Sequence, residues 1–496
     1  MSSELTPVQE FYKGKTVFIT GASGFMGKVL LEKLLYSCSE LNQVIILMRP
    51  KREKTPEIRL EEMFKLPLFK RINDEKPHVL KKVTLVQGDV TIDDLGLSES
   101  DLKLLTNNVN IVYHMAATLK LEGNLTDAIN MNLTGTQRTL NIARQMKNLL
   151  VFIHLSTAFC NCDQEVMYEK VYEFHHKPED LMRMAEWMDV KQLDKITPEL
   201  IKPHPNTYTY SKRLAEILVR DQYPDMPVII TRPSIVSPSY QEPLPGWVDN
   251  MNGPTGIMVG AAKGVIRSMH CDGKLISECI PCDYAVNGLI VVPYEWSLQE
   301  KKPEKIPVYN ITCSEDKRVT WKWIMDCGKK MGLTYPFNIG LWYPDGVMTT
   351  NYYYHMFNVI LFMWLPAILV DCLLFIFGQR RFMIRVQKKV HTGLEVLQFF
   401  TTRKWDFKSR NYSRLWYDLL KDKDKRTFNM HMQEIDNEEY IKSTVFGAKQ
   451  YICKEPLSTI PRNRRILWVL YIMDKFFKTA FFYWIIKWTT KSLGVL

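Results

Sequence analysis

Lys15-Thr16-Val17-Phe18-Ile19-Thr20-Gly21-Ala22-Ser23-Gly24-Phe25-Met26-Gly27 is the stretch that decides the fold. An apolar run suited to a buried strand leads directly into glycines spaced three apart. Lys28-Val29-Leu30-Leu31-Glu32-Lys33-Leu34-Leu35 then carries helical periodicity. In a strand–turn–helix setting each glycine has a task. Gly21 permits the tight turn, Gly24 lets a pyrophosphate approach the backbone, and Gly27 allows helix–sheet contact. The helix N-terminus adds N–H groups and a favourable dipole. Gly21, Ser23, Gly24, Phe25, Met26 and Gly27 are therefore candidate residues of a dinucleotide site.

Outward from this turn, further strands are predicted at 44–48, 83–86, 111–114, 150–155 and 228–231, with a helix over 132–147. Strands alternating with helices imply an α/β fold: a doubly wound parallel sheet of Rossmann type, with a smaller substrate lobe. The second strand runs into Met48-Arg49-Pro50-Lys51-Arg52, where an NAD site usually carries an acid. Arg49, with Arg52 as a second candidate, favours the 2′-phosphate of NADPH. Asp89 follows the third strand and is a candidate for the adenine amino group. Ala116 follows the fourth, where a small residue lets the cofactor lie against the backbone. His114 and His154 sit in apolar strands and read as satisfied core histidines.

A second decisive motif is Asn206-Thr207-Tyr208-Thr209-Tyr210-Ser211-Lys212. On a helix, the i, i+4 spacing sets Tyr208 and Lys212 side by side. The lysine cation lowers the cost of a tyrosinate, and a phenol so tuned can give a proton to a developing alkoxide. Tyr210 is two residues from Lys212 and points elsewhere. Ser156 and Thr157 follow the fifth strand at the crevice edge. Thr157 is the first choice for holding a substrate oxygen beside Tyr208, with Ser156 as the alternative. The catalytic candidates are thus Tyr208, Lys212 and Thr157, and Lys212 also serves the cofactor ribose.

These motifs, with 154–159 (His-Leu-Ser-Thr-Ala-Phe), 232–236 (Arg-Pro-Ser-Ile-Val), 245–250 (Pro-Gly-Trp-Val-Asp-Asn), 280–287 (Ile-Pro-Cys-Asp-Tyr-Ala-Val-Asn), 400–405 (Phe-Thr-Thr-Arg-Lys-Trp) and 440–442 (Tyr-Ile-Lys), make the chain resemble the fatty acyl-CoA reductases of the extended short-chain dehydrogenase/reductase superfamily. The glycine and Tyr/Lys motifs belong to the superfamily; the Pro-Gly-Trp block and C-terminal segment narrow it. Ser23, where threonine is common, and Phe159, where tyrosine is common, are small departures that remove no catalytic group. The resemblance implies Pro233 and Ile235 as further cofactor contacts. It also implies reduction of a long-chain acyl-CoA by NADPH through an aldehyde to the alcohol, with release of coenzyme A. Two other readings stay open: a sterol, sugar-nucleotide or other lipid dehydrogenase of the superfamily, and a non-catalytic membrane scaffold.

The chain of 496 residues is long enough for more than one domain. The sequence divides into a reductase domain over 1–345, a helical domain over 346–455 and a membrane-associated tail over 456–496. With 46% apolar and 24% charged residues it is a folded protein, and the net charge of +11 suits acidic ligands or an anionic membrane surface. Nothing resembles a nucleic-acid module. Ten scattered cysteines show no disulfide framework, and Cys160-Asn161-Cys162 and Cys279-Ile280-Pro281-Cys282 lack partners at zinc spacing, so no metal is expected. The polar N-terminus meets a strand at Thr16, which excludes a secretory signal peptide.

Residues 356–378 match the length of a transmembrane helix for a hydrocarbon core of ~30 Å, although Pro366 and Asp371 interrupt them. They read as a membrane-inserted or acyl-chain-binding segment, and Arg380, Arg381, Arg385, Lys388 and Lys389 beyond them suit anionic headgroups. Residues 466–488 are also long enough to span, but Asp474, Lys475 and Lys478 share one side, and Trp468, Trp484 and Trp488 suit an interface. An intracellular membrane is expected, facing the cytosol: endoplasmic reticulum, peroxisome or lipid droplet. The partners are long-chain acyl-CoA and membrane lipid.

Overall fold

The computed structural model describes residues 4–51, 53–313, 317–338 and 340–492. The chain forms two compact units that interleave along the sequence. One comprises Met1–Trp247, Glu278–Arg318 and Lys404–Ile435; the other comprises Val248–Ser277, Val319–Arg403 and Asp436–Leu496.

The first unit is built on a seven-stranded sheet. Its strands are β1 (Thr16–Thr20), β2 (Gln43–Met48), β3 (Val83–Gln87), β4 (Ile111–His114), β5 (Val151–Leu155), β6 (Val228–Pro233) and β7 (Val308–Ile311). The spatial order is β7-β6-β5-β4-β1-β2-β3, and every pairing is parallel. β1, β4 and β6 are buried along their whole length, which is why they read as continuous apolar runs: helices cover both faces of such a sheet. The order reverses between β1 and β4, so a crevice opens at the C-terminal ends of these strands. β7 is the one strand of the sheet with no counterpart among the strands expected from sequence.

Two helices matter for the site. Phe25–Ser37 starts directly after the glycine turn. Thr207–Arg220 starts at Asn206, whose side chain accepts from Thr209 N. The helix expected over 132–147 has a different form. A π-helical turn, Ile129–Thr134, precedes the α-helix Gly135–Ala143. Such turns carry one extra residue and recur at functional sites.

The second unit is mostly helical. Val259, Cys327, Met331, Phe337, Ile441, Val445 and Ala448 form an apolar core in it. Among the described residues one helix, Tyr352–Ile376, is long and apolar enough to cross a membrane, and only about a fifth (22%) of its most apolar window is buried. Pro366 does not break it: the proline opens the segment Leu365–Ile376 directly after a π-helical turn, Ile360–Trp364. The last helix, Ile460–Ser492, turns Asp474 inward to Arg267 Nη2 (3.0 Å) and Trp342 Nε1 (2.6 Å), and Lys478 to Asp345 (2.7 Å). Lys475, expected on the same side, is exposed.

Candidate functional site

Gly21 lies at φ +79°, the left-handed region that glycine reaches without strain. A Cβ there would stand 2.7 Å from Ala116 N, and one at Gly27 would stand 2.3 Å from Gly21 O. The turn therefore has room for backbone only. Gly24 N donates to Gly21 O (2.9 Å), and as N-cap residue Gly24 provides no side-chain cap, so the first N–H groups of the following helix keep their capacity for an anion. Gly24 is exposed, while Ser23, Phe25 and Met26 are half-buried around the turn. Thr20 Oγ1 accepts from Met115 N and Ala116 N, both at 3.2 Å, and so ties the end of β1 to the backbone beside Ala116.

Past β2, Arg49 Nη1 meets Asp89 Oδ2 at 2.8 Å. Asp89 also accepts from Thr91 N and Thr91 Oγ1, both at 3.0 Å. The two candidates from different strands thus stand together, and the Asp89 carboxylate is already engaged by protein donors. A third residue joins them. Arg59, on the helix Pro56–Phe64, reaches Arg49 O with Nη1 and Ser23 Oγ with Nη2 (3.4 Å). Burial first, and then the neighbouring Arg49 cation, lower the Arg59 pKa. Two guanidinium groups beside the glycine turn suit a dianionic phosphate. Arg59 is absent from the sequence reading because its helix has to dock before the residue reaches the turn. Arg52 lies outside the described residues.

At the C-terminal end of β5 the backbone turns through Ser156 and Thr157. The two hydroxyls part ways. Ser156 Oγ donates to Cys160 Sγ (3.8 Å), whereas Thr157 Oγ1 accepts from Phe159 N (3.3 Å) and adjoins the Tyr208 phenol. Of the two hydroxyls, Thr157 is the one that acts on the Tyr208 phenol. Burial raises the Tyr208 pKa, and the Thr157 bond acts in the opposite direction. Tyr210, by contrast, is fully buried in the core and bonds His176 Nδ1 (2.7 Å).

Lys212 is buried, and burial pulls its pKa down to about 8. Its ammonium donates to Leu155 O (2.6 Å) and lies 3.4 Å from His154 Nε2. Burial, then the Lys212 charge, push His154 well below its usual range, so the neutral ring accepts from the lysine. His114 lies between Thr20 Oγ1 (2.9 Å) and Thr136 Oγ1 (3.0 Å), and burial lowers its pKa to about 3. It is a satisfied core histidine; His154 is a neighbour of the lysine.

Two supports had no signal of their own in the sequence. Asn132, in the π-helical turn, donates to Ser211 Oγ (2.9 Å) and accepts from Thr118 N (2.8 Å). Glu216, one turn beyond Lys212, is fully buried and pairs with Arg232 through Nε–Oε1 (2.8 Å) and Nη2–Oε2 (2.6 Å). This bidentate pair fixes the Tyr/Lys helix to the end of β6. Pro233 and Ile235 follow at once on that strand end, Pro233 buried and Ile235 half-buried. Sheet parallelism puts the glycine turn after β1 and the Thr157 turn after β5 at one edge, with β4 between them. None of the ten cysteines forms a disulfide, and among the described residues no cluster of His, Cys, Asp and Glu is arranged for a metal.

The chain compares as follows with known proteins. Residues 19–289 match the family model NAD_binding_4, described as male sterility protein, and residues 362–455 match the model Sterile, described in the same words. Fatty acyl-CoA reductase 1 of Rattus norvegicus is 36% identical over 469 residues, covering 93% of this chain and 89% of the relative. Fatty acyl-CoA reductase wat of Drosophila melanogaster is 33% identical over 488 residues, covering 98% and 93%. Among solved structures, the terminal R domain of the myxalamid PKS-NRPS pathway superposes with a TM-score of 0.55 at 16% identity, covering 88% of this chain and 90% of that domain. The reductase (R) domain of a nonribosomal peptide synthetase from Mycobacterium tuberculosis gives 0.55 at 15%, covering 90% and 92%. At these identities the structures share the fold alone.

Proposed function

This chain belongs to the fatty acyl-CoA reductase family, and from that premise we propose that it uses NADPH to reduce a long-chain acyl-CoA to the fatty alcohol, releasing coenzyme A. The observation that carries the chemistry is that Lys212 reaches Leu155 O at the end of β5, two residues before Thr157, with Tyr208 one turn earlier on the same helix. The observation that favours NADPH over NADH is the Arg49–Arg59 pair beside the turn, with Asp89 already occupied. The glycine cradle, too tight for a Cβ at Gly21 or Gly27, fits a pyrophosphate.

When bound, the nicotinamide supplies the hydride. Tyr208 gives its proton to the oxygen of the reduced carbonyl, while Thr157 holds that oxygen in place. Lys212 takes two protein acceptors, Leu155 O and His154 Nε2, which leaves its third N–H for the ribose. Its charge eases the proton loss of Tyr208. The first reduction gives a hemithioacetal, which collapses to aldehyde and the coenzyme A thiol. A second hydride and proton give the alcohol. Gly21, Ser23, Gly24, Phe25, Met26 and Gly27 hold the pyrophosphate, Ala116, Pro233 and Ile235 line the cofactor, and Asp89 acts with Arg49.

The division at residues 345 and 455 is proposed as one of function: cofactor chemistry, acyl-chain handling and membrane attachment. One apolar helix suggests membrane association, and we place the protein on an intracellular membrane with its catalytic unit in the cytosol, in keeping with ten cysteines that form no disulfide. The test is product analysis of the purified full-length chain with a series of acyl-CoAs and either NADPH or NADH. Thiol release with alcohol formation, faster with NADPH, is expected. Oxidation of a sterol without thiol release would instead favour a different lipid dehydrogenase.

A further inference from the structure

The helix Tyr352–Ile376 passes the length and composition test for a membrane span. Its surroundings in the chain do not permit a crossing. Downstream, residues 404–435 return to the reductase unit. There the short strand Asp406–Phe407 pairs in parallel with Val166–Met167. Asn310 Nδ2 donates to Lys408 O (2.8 Å), Asn411 Nδ2 donates to Val308 O (2.9 Å), and Arg414 pairs with Glu295. Residues 404–414 therefore lie on the same side of any membrane as the sheet they bind.

Upstream, residue 318 still belongs to the reductase unit. The helix that follows, Trp321–Thr334, carries Lys322, Asp326, Lys329 and Lys330, and cannot cross. Both flanks of 352–403 thus share one side, and the number of crossings within 352–403 must be even. A return crossing would fall to Met383–Thr401. That helix carries Arg385, Lys388, Lys389 and Glu395, and charges at mid-membrane are strongly disfavoured.

The local structure supplies the alternative. Asp371, 4% exposed, accepts from Phe382 N (3.0 Å), Met383 N (2.9 Å) and Ile384 N (3.0 Å). One carboxylate caps the next helix and locks an elbow over residues 377–382, with Gly378 at φ +65°. Outside the elbow, Phe375, Ile376 and Phe377 are 68–73% exposed. Arg380, Arg381 and Arg385 are exposed beside them, and Arg381 lies over the Phe375 ring (5.4 Å). Aromatic and aliphatic tips rimmed by arginine match the acyl–headgroup boundary of an anionic leaflet.

We propose that residues 352–382 enter one leaflet of an anionic phospholipid membrane and leave on the side they entered, with the elbow as the inserted tip. This rests on the reading of the chain as an enzyme of lipid substrates. It places that enzyme in a single leaflet, where an acyl chain can reach it without leaving lipid.

The test uses full-length protein on sealed vesicles containing phosphatidylserine, in a Cys372→Ser background. Thr350→Cys and Lys389→Cys, both at exposed positions flanking the apolar helix, should react with an impermeant maleimide to the same extent before detergent. A fluorophore on Phe377→Cys should be quenched by spin-labelled lipid. Protection of Lys389→Cys until the vesicle is opened would mean a crossing and overturn the proposal. A fluorophore at 377 that stays in water, or is shielded only as protein concentration rises, would do the same, the latter pointing to a second copy of the chain. NADPH binding, read on the same samples, reports the reductase separately, so failure of one does not count as failure of the other.

Discussion

Among the helices of this chain that carry ionisable groups out of contact with water, two use them oppositely. In Thr207–Arg220, Lys212, Arg213 and Glu216 are buried and each meets side-chain partners or the sheet edge. In Tyr352–Ile376, the single acid, Asp371, meets only the backbone N–H groups of the following helix. A buried charge facing other titratable groups keeps a proton that can be moved. A buried charge facing amides holds a bend and nothing else. The difference separates a helix built for chemistry from one built to present an apolar outer face.

That contrast can be broken by substitution. The largest effect is expected at Tyr208→Phe, which removes the proton donor and keeps the ring: alcohol formation should fall ~10²–10⁴-fold while NADPH affinity holds. Tyr210→Phe is the control, since its hydroxyl serves His176 in the core, and should cost about 1 kcal/mol of stability in denaturant titration with turnover preserved. If the control loses activity and Tyr208→Phe keeps it, the roles of the two tyrosines are reversed.

Next in size is Glu216→Ala. It leaves Arg232 buried and unpaired, and a loss of about 3–5 kcal/mol is expected on unfolding, large enough to lower expression. Asp371→Ala, at the other helix, should cost less stability than Glu216→Ala, as the loss of a cap does, and leave turnover of a short, soluble acyl-CoA unchanged. Equal effects of the two substitutions on turnover would dissolve the distinction between the helices.

Arg49→Glu and Arg59→Glu should each raise the NADPH KM by roughly 10–100-fold, the scale of a charged hydrogen bond, with little change for NADH. Losses shared by both cofactors would point to folding instead. The smallest effect concerns pH. Lys212 must be charged to support Tyr208, and burial sets its pKa near 8, so turnover should fall as pH rises through about 8. Lys212→Arg should retain residual activity and move that fall upward. A profile unchanged by this substitution would remove Lys212 from the titration.

The glycine turn and the Tyr208–Lys212 spacing were legible because each is a local device: a backbone conformation only glycine reaches, and two side chains one helical turn apart. Six of the seven strands were legible for the same reason, as short apolar runs, five of them buried along most or all of their length. Arg59 was not, because nothing near residue 59 records that its helix docks beside Ser23. Asn132 was hidden inside a helical pattern whose π-helical turn does not show in periodicity.

The sequence by itself determined the sheet, the tight glycine turn, the placing of Tyr208 and Lys212 one turn apart on a helix, and the presence of apolar helices in the C-terminal half. Only the tertiary structure decided where their charges point. Asp474 reads as a charge on a candidate anchor until Arg267, 207 residues earlier, meets it. Residues 404–414 read as part of the helical domain over 346–455 until they pair with Val166–Met167. Local patterns fix conformation because neighbours in sequence are always near one another. Partners hundreds of residues apart are brought together only by the packing of the whole chain, and that packing sets whether an apolar helix has a far side to reach.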